Sequence, residues 1–170
     1  MTQTLLAFTV AGIRLGLEAA HVVEVLPSLR LVTPPEMPPL LRGFITVTGR
    51  LIPVIRLEKI LHGPQYENQG MGLEDRLVVA RLGRLEVAWV AGADMEPLSF
   101  RTRDCVALPQ DHVLNNCASH IVPGGAEPVV VLATEKLLLE EERLRLDQLR
   151  QMAADRISLL KVQPSLPTAC

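Results

Sequence analysis

The sequence predicts a mainly β protein that ends in one α-helix, and two patterns carry this prediction. Short apolar runs occur in pairs around a glycine, and in the best pair, residues 44–47 and 51–55, the side chains alternate with the two-residue period of a half-buried strand. Near the C-terminus, apolar residues recur at spacings of three and four and form the single stripe of a helix: Leu146, Leu149, Ala153, Ile157 and Leu160.

The pair within residues 40–61, LLRGFITVTGRLIPVIRLEKIL, is the most specific part of the chain. Residues 48–50 separate the two runs, and Gly49 can take the positive φ that a tight hairpin turn requires. Pro53 has no N–H to donate, so we expect its strand to be an edge strand or to be bulged at that point. Residues 57–61 then predict a short helical turn that ends at a Gly-Pro pair.

The remaining elements follow the same logic. Two further hairpins are predicted, residues 5–10 with 13–17 and 77–82 with 85–91, and single strands at 22–26, 113–114, 120–122 and 129–132. The proline-rich residues 34–39 predict an extended surface connector, and residues 62–75 predict a loop between two lobes. Thr134 is a candidate N-cap of the C-terminal helix, and residues 163–170 are expected to be a disordered tail.

Composition limits the class of protein. A chain of 170 residues suits one domain or two small lobes that share a core, and 48 % hydrophobic with only 3 % aromatic residues predicts an aliphatic core. Seventeen basic against nineteen acidic residues provide no basic surface for nucleic acid. No stretch reaches the roughly 20 apolar residues that span a bilayer, and the first residues do not resemble a secretory signal, so we expect a cytoplasmic protein.

Cysteine and histidine residues are the candidates for metal or catalytic chemistry. Cys117 and His120 are spaced like half of a zinc site, but no second close pair accompanies them, and a buried cysteine beside a loop histidine is the simpler interpretation. Asp104, Cys105 and His112 could form a nucleophile set, although closeness in sequence does not establish convergence in space. No known catalytic motif is present, so we expect no enzyme activity, metal or cofactor.

The hairpin carries a resemblance to a known family. Residues 43–49, GFITVTG, followed by residues 53–57, PVIRL, resemble the signature hairpin of the CheW family, the chemotaxis coupling proteins. The apolar frame, both glycines and the proline match this signature. At three polar positions, where the family usually carries Asn, Arg and Asp, this chain has Thr46, Thr48 and Arg56.

The resemblance implies an architecture. It consists of two small SH3-like five-stranded β-barrel lobes that share an apolar seam, with a C-terminal α-helix. Residues 1–162 would form the CheW-like domain, with a first lobe of about residues 15–65 and a second lobe of about residues 1–14 plus 76–162. The helical stripe is expected to pack on its own barrel or, alternatively, to dimerise.

The resemblance also implies a function. The chain would be an adaptor that links the cytoplasmic tip of a methyl-accepting chemoreceptor to the regulatory domain of a CheA-type histidine kinase, and would meet the membrane only through the receptor. The main alternative is a CheW-like structural module that self-associates or binds another scaffold; a cysteine-dependent hydrolase is a distant third. Six residues are expected at the partner interface: Glu24, Thr46, Thr48, Gly49, Arg50 and Pro53. Glu24 could instead be an ordinary solvated edge charge.

Overall fold

The structure is a computed structural model that describes residues 1–67, 70–108 and 113–161. These residues form strands β1 (Thr2–Val10), β2 (Ile13–Glu18), β3 (Val22–Pro27), β4 (Leu41–Val47), β5 (Arg50–Ile55), β6 (Arg76–Leu82), β7 (Leu85–Ala91), β8 (Glu96–Arg101), β9 (Val106–Ala107), β10 (Ala118–Val122) and β11 (Val129–Leu132). The α-helices are α1 (Leu57–His62) and α2 (Glu140–Lys161). Short 3-10 helices lie at Ala19–His21, Thr102–Asp104, Val113–Asn116 and Thr134–Lys136.

The strands form two sheets, and we name a lobe after each. The hairpin lobe has five strands in the order β3-β6-β7-β5-β4, and the terminal lobe has six in the order β8-β1-β2-β11-β10-β9. Neighbouring strands are antiparallel except for the parallel pairs β5–β7 and β2–β11. Among the described strands, the two outermost strands of each sheet are not paired with each other, so the lobes are open sheets rather than the expected five-stranded barrels, and the terminal lobe has six strands. The predicted two-lobe, mainly β class with a C-terminal helix is confirmed.

A shared apolar core joins the lobes. Its buried side chains come from both sheets, and Phe8 of β1 and Trp89 of β7 meet there with ring centroids 5.9 Å apart. Each lobe also has a smaller cluster of its own, which includes Leu5 and Val131 in the terminal lobe and Ile45 in the hairpin lobe. This arrangement corresponds to the expected seam between two lobes, and most of its buried residues are aliphatic.

The predicted division into lobes differs from the observed sheets. The predicted first lobe, about residues 15–65, corresponds to the hairpin lobe, but β2 pairs with β1 and β11 in the terminal lobe. The predicted second lobe corresponds to the terminal lobe and includes residues from about 76 onward, but β6 and β7 lie in the hairpin lobe. The reason is long-range pairing: β6 pairs with β3 and β7 with β5, and a local pattern of apolar residues does not specify such partners.

The predicted hairpin β4–β5 is confirmed, but its turn has two residues rather than the three of the predicted break, because Arg50 pairs with Val47 in the ladder. Thr48 and Gly49 have φ angles of 46° and 79°, which is the arrangement of a type I′ turn. The expectation that Pro53 lies on an edge strand is wrong, because β5 lies between β4 and β7. The register between β5 and β7 contains the single pair Val54–Ala88, so Pro53 lies outside that ladder. The register shift in β4–β5 falls between Leu41 and Gly43 rather than at the proline.

The connector between β3 and β4, residues 28–40, contacts the base of this hairpin. Val32 and Phe44 exchange two backbone hydrogen bonds of 2.8 Å each. A Cβ atom at Gly43 would lie 2.9 Å from the carbonyl oxygen of Val32 and 3.1 Å from Cβ of Leu31. The first glycine of the hairpin signature is therefore required by this close approach of the connector.

Two local expectations about the second half of the chain are wrong. Residues 113–114 are not a strand but begin a 3-10 segment in which Leu114 has a φ of 51°. Thr134 does not cap the C-terminal helix: it lies in a 3-10 turn, and α2 begins only at Glu140. The backbone N–H of Leu139 instead donates to Glu142 Oε2 at 2.8 Å, which is the reciprocal half of a capping box.

Helix α2 packs on its own domain through most of the predicted stripe. Leu146 is fully buried, and Leu149, Ala153 and Ile157 are partly buried against the shared core. Leu160 is 69 % exposed, so the stripe ends before it. Residues 163–170, where a disordered tail was expected, lie outside the described residues.

Candidate partner-binding surface

The turn of the β4–β5 hairpin presents polar residues to solvent. We call residues 46–50 the hairpin tip; Thr46, Thr48, Gly49 and Arg50 are all exposed. Pro53 is buried in β5 opposite Phe44, so it supports the hairpin from within. Four of the six expected interface residues therefore lie together at one end of the hairpin.

An ion-pair network joins the hairpin tip to the neighbouring strands. The Arg50 guanidinium donates to Glu24 Oε1 at 3.2 Å and to a carboxylate oxygen of Glu86, and Arg81 donates to the other oxygen of Glu86 at 3.4 Å. The strand order places β3, β6, β7 and β5 side by side, so residues distant in sequence meet on one surface. Because these side chains are partly exposed, each pair contributes only about 0.2–1 kcal/mol to stability.

Two of these four charges, Glu24 and Arg50, are interface residues expected from the sequence, and the structure brings them into direct contact. Arg81 and Glu86 are not among the expected interface residues. A signal for that pair existed, since the two residues lie opposite each other across the predicted turn of the β6–β7 hairpin.

A groove of about 960 Å³ runs beside the hairpin tip. Thr46, Gly49 and Arg50 line one side, and Ala154 and Ile157 of α2 line the other. The sequence indicated that the helix would pack on its barrel, but it gave no sign that the helix would lie next to the hairpin tip.

A second groove of about 790 Å³ lies away from the hairpin tip, where α1 meets the terminal lobe and the start of α2. Its lining is largely apolar and includes Pro39, Ile60, Leu137 and Leu146. The two grooves share none of their lining residues among those the structure describes.

Comparison with known proteins decides the family. The CheW-like domain profile matches residues 4–142 of this chain. The chain belongs to the CheW-like domain family. Its structure is similar to the crystal structure of the scaffolding protein TtCheW from Thermoanaerobacter tengcongensis, with a TM-score of 0.74 over 86 % of this chain and 94 % of that one. The two sequences are 19 % identical, so this likeness concerns the fold, and no curated protein matches the sequence significantly.

Family membership confirms the resemblance on which the functional expectation was based. It assigns the chain to the CheW-like scaffold and adaptor proteins of chemotaxis signalling and indicates a non-catalytic adaptor. The match ends at residue 142, so all but the first residues of α2 lie beyond it.

A buried ion pair fixes the base of the CheW-like hairpin. Arg42 of β4 donates to Glu58 of α1 at 2.7 Å, and both side chains are at least nine-tenths buried. Removing one partner of such a pair typically costs about 3–5 kcal/mol, because the other charge is left buried and uncompensated. The pair therefore holds α1 against the hairpin and has a structural role.

Cys117 and His120 do not share a site. The Cys117 thiol donates to the backbone carbonyls of Asn115 and Lys136, each at 3.6 Å, whereas His120 Nδ1 lies 2.8 Å from the Ser119 hydroxyl. Burial, together with the nearby Glu142 carboxylate, raises the pKa of Cys117 to about 11, so the thiol stays protonated at neutral pH. Within residues 1–67, 70–108 and 113–161, no group of three or more His, Cys, Asp or Glu residues is arranged to hold a metal ion.

The second candidate set is only partly described. Burial and the neighbouring Asp104 carboxylate both raise the pKa of Cys105, which disfavours the thiolate that a nucleophile needs. The third member, His112, lies outside the described residues. For the part of the chain that the structure describes, no helix is long and apolar enough to cross a bilayer.

Proposed function

We propose that this protein is a non-enzymatic cytoplasmic adaptor that couples the cytoplasmic tip of a methyl-accepting chemoreceptor to the regulatory domain of a CheA-type histidine kinase. The observation that carries the proposal is the CheW-like family match over residues 4–142, which includes the whole signature hairpin. The tip of the signature hairpin is exposed and polar, while the base of the hairpin is buried. Such a surface can exchange partners without a change in the fold.

Two separate grooves support an adaptor that holds two proteins at once. The groove at the hairpin tip has a mixed charged and apolar lining, and the groove between α1 and the terminal lobe is largely apolar. Because they share no described lining residue, a partner in one groove leaves the other accessible.

The altered residues at the hairpin tip favour a partner that differs from the usual one of the family. Thr48 offers one hydroxyl where the family's Arg offers five donors and a charge. Arg50 is not a free substitute, because its guanidinium is already shared between Glu24 and Glu86. We therefore expect this chain to serve its own receptor and kinase and to couple poorly to those of an Arg-bearing homologue.

Co-purification of three proteins tests the proposal. The chain is mixed with the regulatory domain of the CheA-type kinase and with a soluble receptor-tip fragment, both from the same organism, and the mixture is separated by size exclusion. We expect a complex that contains all three proteins and that does not form when this chain is omitted. A chain that binds neither protein and only self-associates would contradict the adaptor and favour the structural module.

A further inference from the structure

We propose that α2 is a partner-selecting element, and that together with the hairpin tip it forms a groove that receives an acidic segment of the kinase regulatory domain. This inference rests on the adaptor function proposed above, and it adds the chemistry of the contact and a part for the helix. It concerns a region that the family match does not cover, because that match ends at residue 142 and α2 continues to Lys161.

Helix α2 forms one side of this groove, and contacts with both lobes hold it in place. Leu146 anchors its first half in the shared core with 1 % exposure. The Arg143 guanidinium donates to the carbonyl oxygens of Leu82, Thr134 and Glu135, each at 3.3 Å, and so ties the helix to both lobes. The side chains of Ala154 and Ile157 then face the hairpin tip across the groove. A protein that docks in this groove therefore contacts both the hairpin tip and α2.

The charges around the groove favour an acidic partner. Four guanidinium groups line it, against two carboxylates, and both carboxylates are already engaged: Glu86 by Arg50 and Arg81, and Asp147 by Arg150 at 2.8 Å. Glu24 also pairs with Arg50, which leaves one guanidinium uncompensated. The fourth guanidinium, that of Arg84, is exposed and makes no ion pair or hydrogen bond with the described residues.

This surplus of positive charge lies in a chain whose formal net charge is −2. It is therefore a local feature, and it would attract and orient a carboxylate-bearing segment. Between the charges, the groove has apolar surface from Leu51, Leu85 and Ile157. The segment we infer consequently carries acidic residues beside at least one apolar anchor.

The test compares four charge variants by titration with the kinase regulatory domain from the same organism. Arg84→Glu reverses the unpaired charge of the groove, and Arg103→Glu makes the same change at an exposed site on the terminal lobe. Ser158→Glu adds a negative charge to the helix wall, and Gln148→Glu adds one at an exposed position of α2 that does not line the groove. All four sites are exposed, so folding should be maintained, and thermal melting checks this.

We expect Arg84→Glu and Ser158→Glu each to weaken binding about tenfold, mainly through slower association, while both controls bind like wild type. The difference should shrink in 1 M salt, where the screening length is about 3 Å. If the wild type binds the kinase regulatory domain and all four variants bind it with the same affinity, the inference is overturned and the proposed adaptor function is not. Absence of wild-type binding would overturn both. A wild-type dimer that Ser158→Glu dissociates, with unchanged kinase binding, would assign the groove to a second copy of the chain instead.

Discussion

The two ends of the β4–β5 hairpin differ in burial and in the interactions that hold them in place. At its base, Gly43, Phe44 and Pro53 are buried, and the connector and the Arg42–Glu58 pair hold them in place. At its tip, residues 46–50 are mostly exposed, and their main interaction is a partly solvated ion-pair network. The buried frame of the base matches the family signature, and two of the three departures from it, Thr46 and Thr48, lie at the tip. Within one hairpin, packing therefore constrains the fold, while the exposed polar positions can vary with the partner.

Phe44→Ala should have the largest effect on stability. Phe44 is 1 % exposed in the shared core, and truncating a buried phenylalanine typically costs about 3–5 kcal/mol. Thr46→Ala, two residues further along the same strand and exposed, should change the free energy of unfolding by less than about 0.5 kcal/mol. Urea unfolding measures both. Should Phe44→Ala fail to fold, Phe44→Leu provides a milder version, and equal costs at the two positions would contradict the contrast between base and tip.

Gly43→Ala tests the close approach of the connector. The added methyl group would lie 2.9 Å from the Val32 carbonyl oxygen, so the connector or β4 must shift, at a cost of about 1–3 kcal/mol. Gly70→Ala is the matched control, since a Cβ there would have no atom of the described residues, its chain neighbours aside, within 4 Å, and its φ is not positive. Thermal melting of the two variants should differ clearly; identical melting temperatures would show that the connector does not clamp the hairpin.

Arg56→Asp should stabilise the protein slightly. Arg56 occupies the N-cap position of α1 and makes no side-chain cap hydrogen bond, and the family usually carries Asp there. An aspartate can accept from the free N–H groups of the first turn, which typically contributes about 1 kcal/mol. Arg56→Ala separates this gain from mere loss of the arginine. An equal change in both variants, measured by urea unfolding, would argue against a capping effect.

Glu24→Ala should have the smallest effect on folding. Its carboxylate is about one-third exposed and shares Arg50 with Glu86, so the free energy of unfolding should change by less than about 0.5 kcal/mol. Binding to the receptor tip or to the kinase regulatory domain should nevertheless weaken, because Arg50 loses one of the two groups that orient it. If the affinities for the receptor tip and for the kinase regulatory domain are both unchanged, Glu24 is a solvated edge residue with no part in binding.

Local sequence patterns predicted those elements of the fold whose formation depends on residues close in sequence. Alternation and the positive φ of Gly49 gave the hairpin and its turn, and helical spacing gave the packed face of α2 around Leu146. What these patterns missed concerns partners distant in sequence: the sheet to which β6 and β7 belong, the pairing of Glu24 with Arg50, and the position of α2 beside the hairpin tip. The misplaced helix start at Thr134 has a local cause, because residues 134–136 form a separate 3-10 turn and α2 begins only at Glu140.

The central claim is that the exposed hairpin tip sets partner choice without a role in folding. Thr48 tests the receptor contact, because it is not among the described residues that line the groove assigned to the kinase. The most direct measurement is the affinity of wild type and Thr48→Arg for two receptor-tip fragments, one from the same organism and one from a system whose CheW-like protein carries Arg at this position. Restoring a charged donor should tighten binding of the foreign fragment about tenfold, with no gain for the native one and unchanged melting. The claim is contradicted if wild type already binds both fragments equally, or if Thr48→Arg alters neither affinity.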